Sequence, residues 1–118
     1  MSRDHSKLTV FSLSDALALD VYRKTRTFPQ EERFALQSQI RRAAVSVPTN
    51  IVEGCTRRSE REYIQFLSIA LGSASELRYL VGLSNRLGML SDEDFEALEP
   101  RCREVVRSLQ ALINSLAR

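Results

Sequence analysis

The sequence predicts an all-α chain folded as an antiparallel up-down four-helix bundle. Three observations lead there. Apolar residues recur at intervals of three and four over four long stretches, the period of a helix with one buried face. Most of these stretches are bounded by helix punctuation: serine caps, early acids, a proline near the start or a glycine past the end. The connections between them are short, which makes successive helices antiparallel neighbours. No alternating strand pattern, internal repeat or low-complexity linker interrupts the scheme. At 118 residues the chain fits one domain with a core of its own.

Residues 1–7 read as a disordered tail and residues 8–118 as the bundle. The first helix is predicted over about 9–27, with Leu13, Leu17 and Val21 as its stripe. Ala18, Leu19 and Tyr22 lie on other sides of that helix. The second is predicted over about 30–55, opening behind Pro29 with Glu31 and Glu32 in its first turn. Its stripe of Leu36, Ile40, Ala43, Val47 and Ile51 stays in phase across Pro48, which predicts a kink and not a break, and Gly54 is a stop signal.

The third helix, about 60–87, starts on the capping-box pattern Ser59-Glu60-Arg61-Glu62 and ends at Gly88. Tyr63, Phe66, Leu67, Ala70, Ala74, Leu77 and Val81 form one face, while Ile64, Ile69, Leu71, Leu80 and Leu83 point elsewhere. The run Gly72-Ser73-Ala74-Ser75 is small enough for a neighbouring helix to come close. The fourth helix, about 92–117, opens on Ser91 and three acids. Phe95, Leu98, Cys102, Val105, Leu109, Leu112 and Leu116 form a heptad seam that keeps its phase across Pro100, where a second bend is predicted. The apolar residues left over on helices one and three predict a subunit interface.

No apolar run approaches the roughly 20 residues of a membrane span, and no signal-type segment opens the chain. The expected location is the cytoplasm, away from membranes. Cys55 and Cys102 stand alone, with no neighbouring ligands for zinc, and read as buried thiols. The single histidine, His5, lies in the predicted tail. Serine–histidine, cysteine–histidine and histidine–metal chemistry therefore lack a partner. The acids Glu60/Glu62 and Asp92/Glu93/Asp94 sit at helix starts, where the dipole accounts for them. No catalytic residue, metal or cofactor is expected.

Two polar features remain. Arg42, Ser46, Asn50, Glu53 and Arg57 stack along one face of the second helix. Pro48 frees the Ala44 carbonyl, and Ser46 and Asn50 are the natural groups to support the disrupted turn. Ser46, Pro48, Asn50 and Glu53 are thus read as a structural polar stripe. The second feature is charge. Fifteen of the seventeen bases are arginine. Bases outnumber acids five to three over 1–28 and again over 30–58, match them three to three over 59–88, and fall behind four to six over 91–118. The positive charge gathers in the first half, in two patches at opposite ends of the second helix. Arg23, Lys24 and Arg26 stand at one end, and Arg57, Arg58 and Arg61 at the other. Either patch could grip phosphates.

A family resemblance joins these features. Leu8-x-Val10-Phe11, Val21-Tyr22 and Phe28-Pro29 are followed by the long motif Gln39-Ile40-Arg41-Arg42-Ala43-Ala44-Val45-Ser46-Val47-Pro48-x-Asn50-Ile51-x-Glu53-Gly54. Further on come Phe66-Leu67-x-Ile69-Ala70-x-Gly72-Ser73 and Glu76-Leu77. The chain thereby resembles the four-helix-bundle family of 23S rRNA intervening-sequence proteins. That family includes the accessory variability determinants of diversity-generating retroelements. Phe11 stands where the family often has Trp, and Val52 where it often has Ala.

The resemblance implies a homopentamer and no established enzymatic activity. Its retroelement members look like basic barrels that bind nucleic acid and a reverse transcriptase. Arg41 and Arg42 are the matching positions for a phosphate-facing role, and Arg57, Arg58 and Arg61 are candidates from charge alone. The expected function is a non-enzymatic oligomeric binding or scaffold protein, with RNA or DNA as candidate partner. The alternatives are an adaptor for a protein such as a reverse transcriptase, then an enzyme or ligand carrier using Ser46, Asn50 and Glu53.

Overall fold

A computed structural model describes residues 3–117. Four helices run through it: α1 (Thr9–Lys24), α2 (Leu36–Cys55), α3 (Glu60–Arg86) and α4 (Asp92–Leu116). Each packs on the next, and α4 closes on α1, which gives the predicted up-down bundle. The molecule is elongated, 45 × 24 × 19 Å. Its core is built mainly from the four predicted stripes, with Leu17, Ile40, Ile51, Tyr63, Leu67, Leu98 and Leu109 at 2% exposure or less. Leu13, Phe66, Phe95, Leu112 and Leu116 of those stripes are only half-buried, and Val10, Ala44, Cys55 and Leu90 join from outside them. Ala18 and Leu80, expected outside it, are also buried.

The helix ends follow local chemistry. The Ser59 hydroxyl accepts from the Glu62 amide at 3.1 Å, the N-cap arm of the predicted capping box, and donates to the Glu62 carboxylate at 3.2 Å. The Ser91 hydroxyl accepts from the Asp94 amide at 3.1 Å. Gly88 takes φ +78°, the left-handed conformation that ends α3. Both α2 and α4 run unbroken through their prolines.

Four expectations need correction. Helix α1 ends at Lys24 and not near 27, because the Thr25 hydroxyl turns back to donate to the Val21 carbonyl at 2.8 Å. Buried Phe28 then precedes Pro29, and a residue before proline is disfavoured in a helix. Helix α2 starts at Leu36 and not at 30. Gln30–Glu32 form a single 3-10 turn, and Ala35 leaves helical geometry at φ −121°, ψ −108°. Extending the Leu36 stripe backwards would aim Glu32 and Arg33 at the core, so a longer helix there has nothing to bury. Glu32 instead accepts from the Leu36 amide at 3.2 Å and caps the true start.

Gly54 lies inside α2 and does not stop it. A Cβ there would stand 2.9 Å from Phe66 Cβ and 3.2 Å from Tyr63 Cδ1, so glycine sets the close approach of α2 to α3. Finally, the predicted tail is folded over the part that can be described; residues 1 and 2 lie outside the described residues. Asp4 caps a turn over His5–Lys7, accepting from the Ser6 amide at 3.0 Å and its hydroxyl at 2.6 Å. The Arg3 amide donates to the Cys55 carbonyl at 2.7 Å, and its guanidinium lies 4.0 Å from the Tyr63 ring centre. These long-range partners come from the α2–α3 corner.

Candidate nucleic-acid interface

The polar stripe of α2 is a tie between helices. Ser46 Oγ and Ser73 Oγ are 2.8 Å apart, joining α2 to the small-residue run of α3. The Asn50 amide donates to the Ser46 carbonyl at 2.8 Å and to Ser46 Oγ at 3.0 Å. Neither Ser46 nor Asn50 bonds directly to the Ala44 carbonyl that Pro48 frees. Their bonds go to each other and across to α3, and Pro48 itself is buried. Glu53 accepts from Arg57 at 2.6 Å one turn on.

The arginines separate into two groups. Arg41 turns toward the end of α1. Its Nε donates to Thr25 Oγ1 at 2.9 Å, its Nη2 donates to the Tyr22 carbonyl at 3.1 Å, and its guanidinium lies 4.6 Å from the Tyr22 ring centre. A cation on the last carbonyls of α1 complements the helix dipole. Arg42, next in sequence, is exposed and makes no ion pair or hydrogen bond among the described residues. Arg23 and Arg26, exposed at the end of α1, likewise form no ion pair there.

Arg57, Arg58 and Arg61 lie beyond the far end of α2. Fifteen residues separate Arg42 from Arg57, roughly 22 Å along a helix. Arg57 is held by Glu53 and lies 4.7 Å from the Phe66 ring centre, with its Nε buried and without a hydrogen-bond partner among the described residues. Arg58 and Arg61 are exposed. Arg3 joins this corner with an ion pair to Glu60 at 3.4 Å, which sequence reasoning had assigned to a free tail.

Sequence reasoning also missed the relief of the surface around α2. An open valley of about 800 Å³ runs over it, lined by Tyr22, Phe34, Arg42, Val45, Ser46, Asn50, Ser73 and Glu76 among others. An apolar groove of about 500 Å³ adjoins it between α1 and α2. The available signal was Phe34, an aromatic out of phase with the stripe that begins at Leu36.

Burial pushes the Cys102 thiol up to about 12, with the nearby Glu99 carboxylate adding to the shift, and burial also raises Cys55. Both are held as neutral thiols, a poor state for nucleophiles or metal ligands. Among the described residues no three of His, Cys, Asp and Glu cluster as a metal site. Helix α3 alone among them is long and apolar enough to cross a membrane, yet Leu67, Ala70, Ala74, Leu77 and Val81 face the core.

Fold and surface define a helical bundle with a recessed polar-apolar valley and a basic patch at each end. The profile of the family described as 23S rRNA-intervening sequence protein matches residues 6–111, and the chain belongs to that family. A crystal structure from Bacteroides thetaiotaomicron VPI-5482 is similar. That structure is described as a protein with unknown function from the S23 ribosomal protein family. It shares 26% identity over 89% of this chain and 95% of its own, with a TM-score of 0.82. No curated protein matches the chain significantly.

Proposed function

We propose that the chain is a cytoplasmic, non-enzymatic scaffold that assembles as a homopentamer and holds the phosphate backbone of RNA or DNA. The observation that carries this reading is the state of its arginines. Arg23, Arg26 and Arg42 at one end of the bundle, and Arg61 at the other, are exposed and make no ion pair among the described residues. Guanidinium groups in that state take phosphate oxygens without first giving up a carboxylate. A net charge of +2 is modest for one chain, but a symmetric assembly repeats each patch in every subunit. Exposed Leu19, Tyr22, Phe34 and Val45 support assembly.

The test is binding to mixed-sequence RNA and duplex DNA across a salt series. Affinity should fall with salt, with a log–log slope of about −0.9 per phosphate contact on duplex DNA and about −0.7 on single strands. Replacing Arg23, Arg26 and Arg42 by Ala, or Arg57, Arg58 and Arg61 by Ala, should weaken binding and flatten the slope. Binding indifferent to both salt and these changes would point to the protein-adaptor reading instead.

A further inference from the structure

Phe34 is 89% exposed, more than any other large apolar side chain among the described residues. It stands on the bend before α2, with the Arg33 guanidinium 5.4 Å from its ring centre. Arg33 is exposed and makes no ion pair among the described residues. The same chain carries a receptor of matching chemistry. Its apolar groove between α1 and α2 is lined by Phe11, Ala18, Leu19, Val45, Pro48 and Val52, with one carboxylate, Asp15, at the wall. Asp15 is exposed and has no hydrogen bond or ion pair among the described residues.

Phe34 does not occupy this groove in its own chain: it lines the neighbouring valley, on the other side of Tyr22 and Val45, and stays exposed there. We infer that the groove takes the Arg33–Phe34 corner of a second copy, with Phe34 on the apolar floor and Arg33 against Asp15. Two features single out a second copy. An aromatic knob meets an apolar groove of about 500 Å³, and an unpaired cation beside the knob meets an unpaired anion beside the groove. Knob and groove are different surfaces, so each copy offers one and receives one. Such a contact can repeat head to tail, the arrangement that a closed ring requires. The inference rests on the oligomeric reading above and assigns the surface that builds it.

Light scattering on the full chain at micromolar concentration tests it. The native protein should be a multi-subunit assembly. Phe34→Asp, Arg33→Asp and Asp15→Arg should each weaken assembly by about 10-fold or more. The double change Arg33→Asp/Asp15→Arg should restore it. All three positions are exposed, so the helical circular-dichroism signal should stay native in every variant. A native monomer overturns the oligomeric reading and this inference together. A native assembly whose mass survives all three single changes, or whose charge-reversed double variant stays dissociated, overturns this inference alone.

Discussion

At Gly54 the missing side chain sets the spacing of α2 against α3. In an isolated helix Gly→Ala stabilises by about 1 kcal/mol. Here the added Cβ would press on Phe66 Cβ at 2.9 Å, and neither atom lies at the end of a flexible side chain. Gly54→Ala should therefore destabilise by about 1–3 kcal/mol, with the sign reversed from propensity, and urea unfolding will measure it. Cys102 gives a second prediction at this scale. Its thiol is raised from 9.0 to about 12 in the fold, so folding favours the protonated form. Its contribution is fully present below pH 9 and is lost as pH rises toward 12, by up to about 1.4 kcal/mol per unit. Stability measured between pH 8 and 11 should fall, and Cys102→Ala should flatten that fall. The same slope in the variant would assign it to other groups, Cys55 and Tyr63 first, both also raised by burial.

Between elements, the Ser46–Ser73 bond is the polar tie of α2 to α3, and Asn50 orients it. A double-mutant cycle with Ser46→Ala and Ser73→Ala should give a coupling of about 1 kcal/mol, since removing either hydroxyl breaks the bond between them, though Ser46 keeps the Asn50 amide. Zero coupling would show that the stripe contributes nothing to the packing of these helices. The same tie explains the small run on α3. Gly72 meets nothing within 4 Å of its would-be Cβ, whereas Ser73 faces α2 and bonds to it. The close approach that the run promised is thus carried by the hydroxyl at Ser73, and glycine is required at position 54 on the opposite helix.

Across the whole molecule, the beginning of the chain fastens the corner where α2 passes to α3. Arg3 reaches the Cys55 carbonyl, the Tyr63 ring and the Glu60 carboxylate, while His5 packs edge-on to Phe11 with ring centres 4.7 Å apart. Removing residues 2–7 should cost about 1–2 kcal/mol in denaturant unfolding, where a free tail would cost nothing. The exposed Arg3–Glu60 pair supplies little of that; the backbone bond and the covered ring supply most. The two basic patches are likewise a property of the whole. Arg42 lies on α2 and Arg57 just past its end, roughly 22 Å apart along the helix direction in a molecule 45 Å long.

What the sequence determined by itself was everything written in local chemistry. Apolar period placed the four helices and most of their buried stripes, though not the end of α1 or the start of α2. Ser59, Ser91 and Gly88 marked ends that the structure keeps, because a cap acts on amides only a few residues away. The long motif around Pro48 was enough to place the family. Tertiary structure decided whatever depends on residues distant in sequence. Arg41 is a candidate phosphate ligand by its place in the motif, and only the tertiary structure shows its guanidinium bonded at the end of α1. Gly54 read as a stop until Phe66 and Tyr63 were found against it, and the tail read as free until the α2–α3 corner was there to hold it. The valley over α2 and the exposed Phe34 at its edge exist only once three helices are side by side, since a groove is a relation between elements and has no period along the chain.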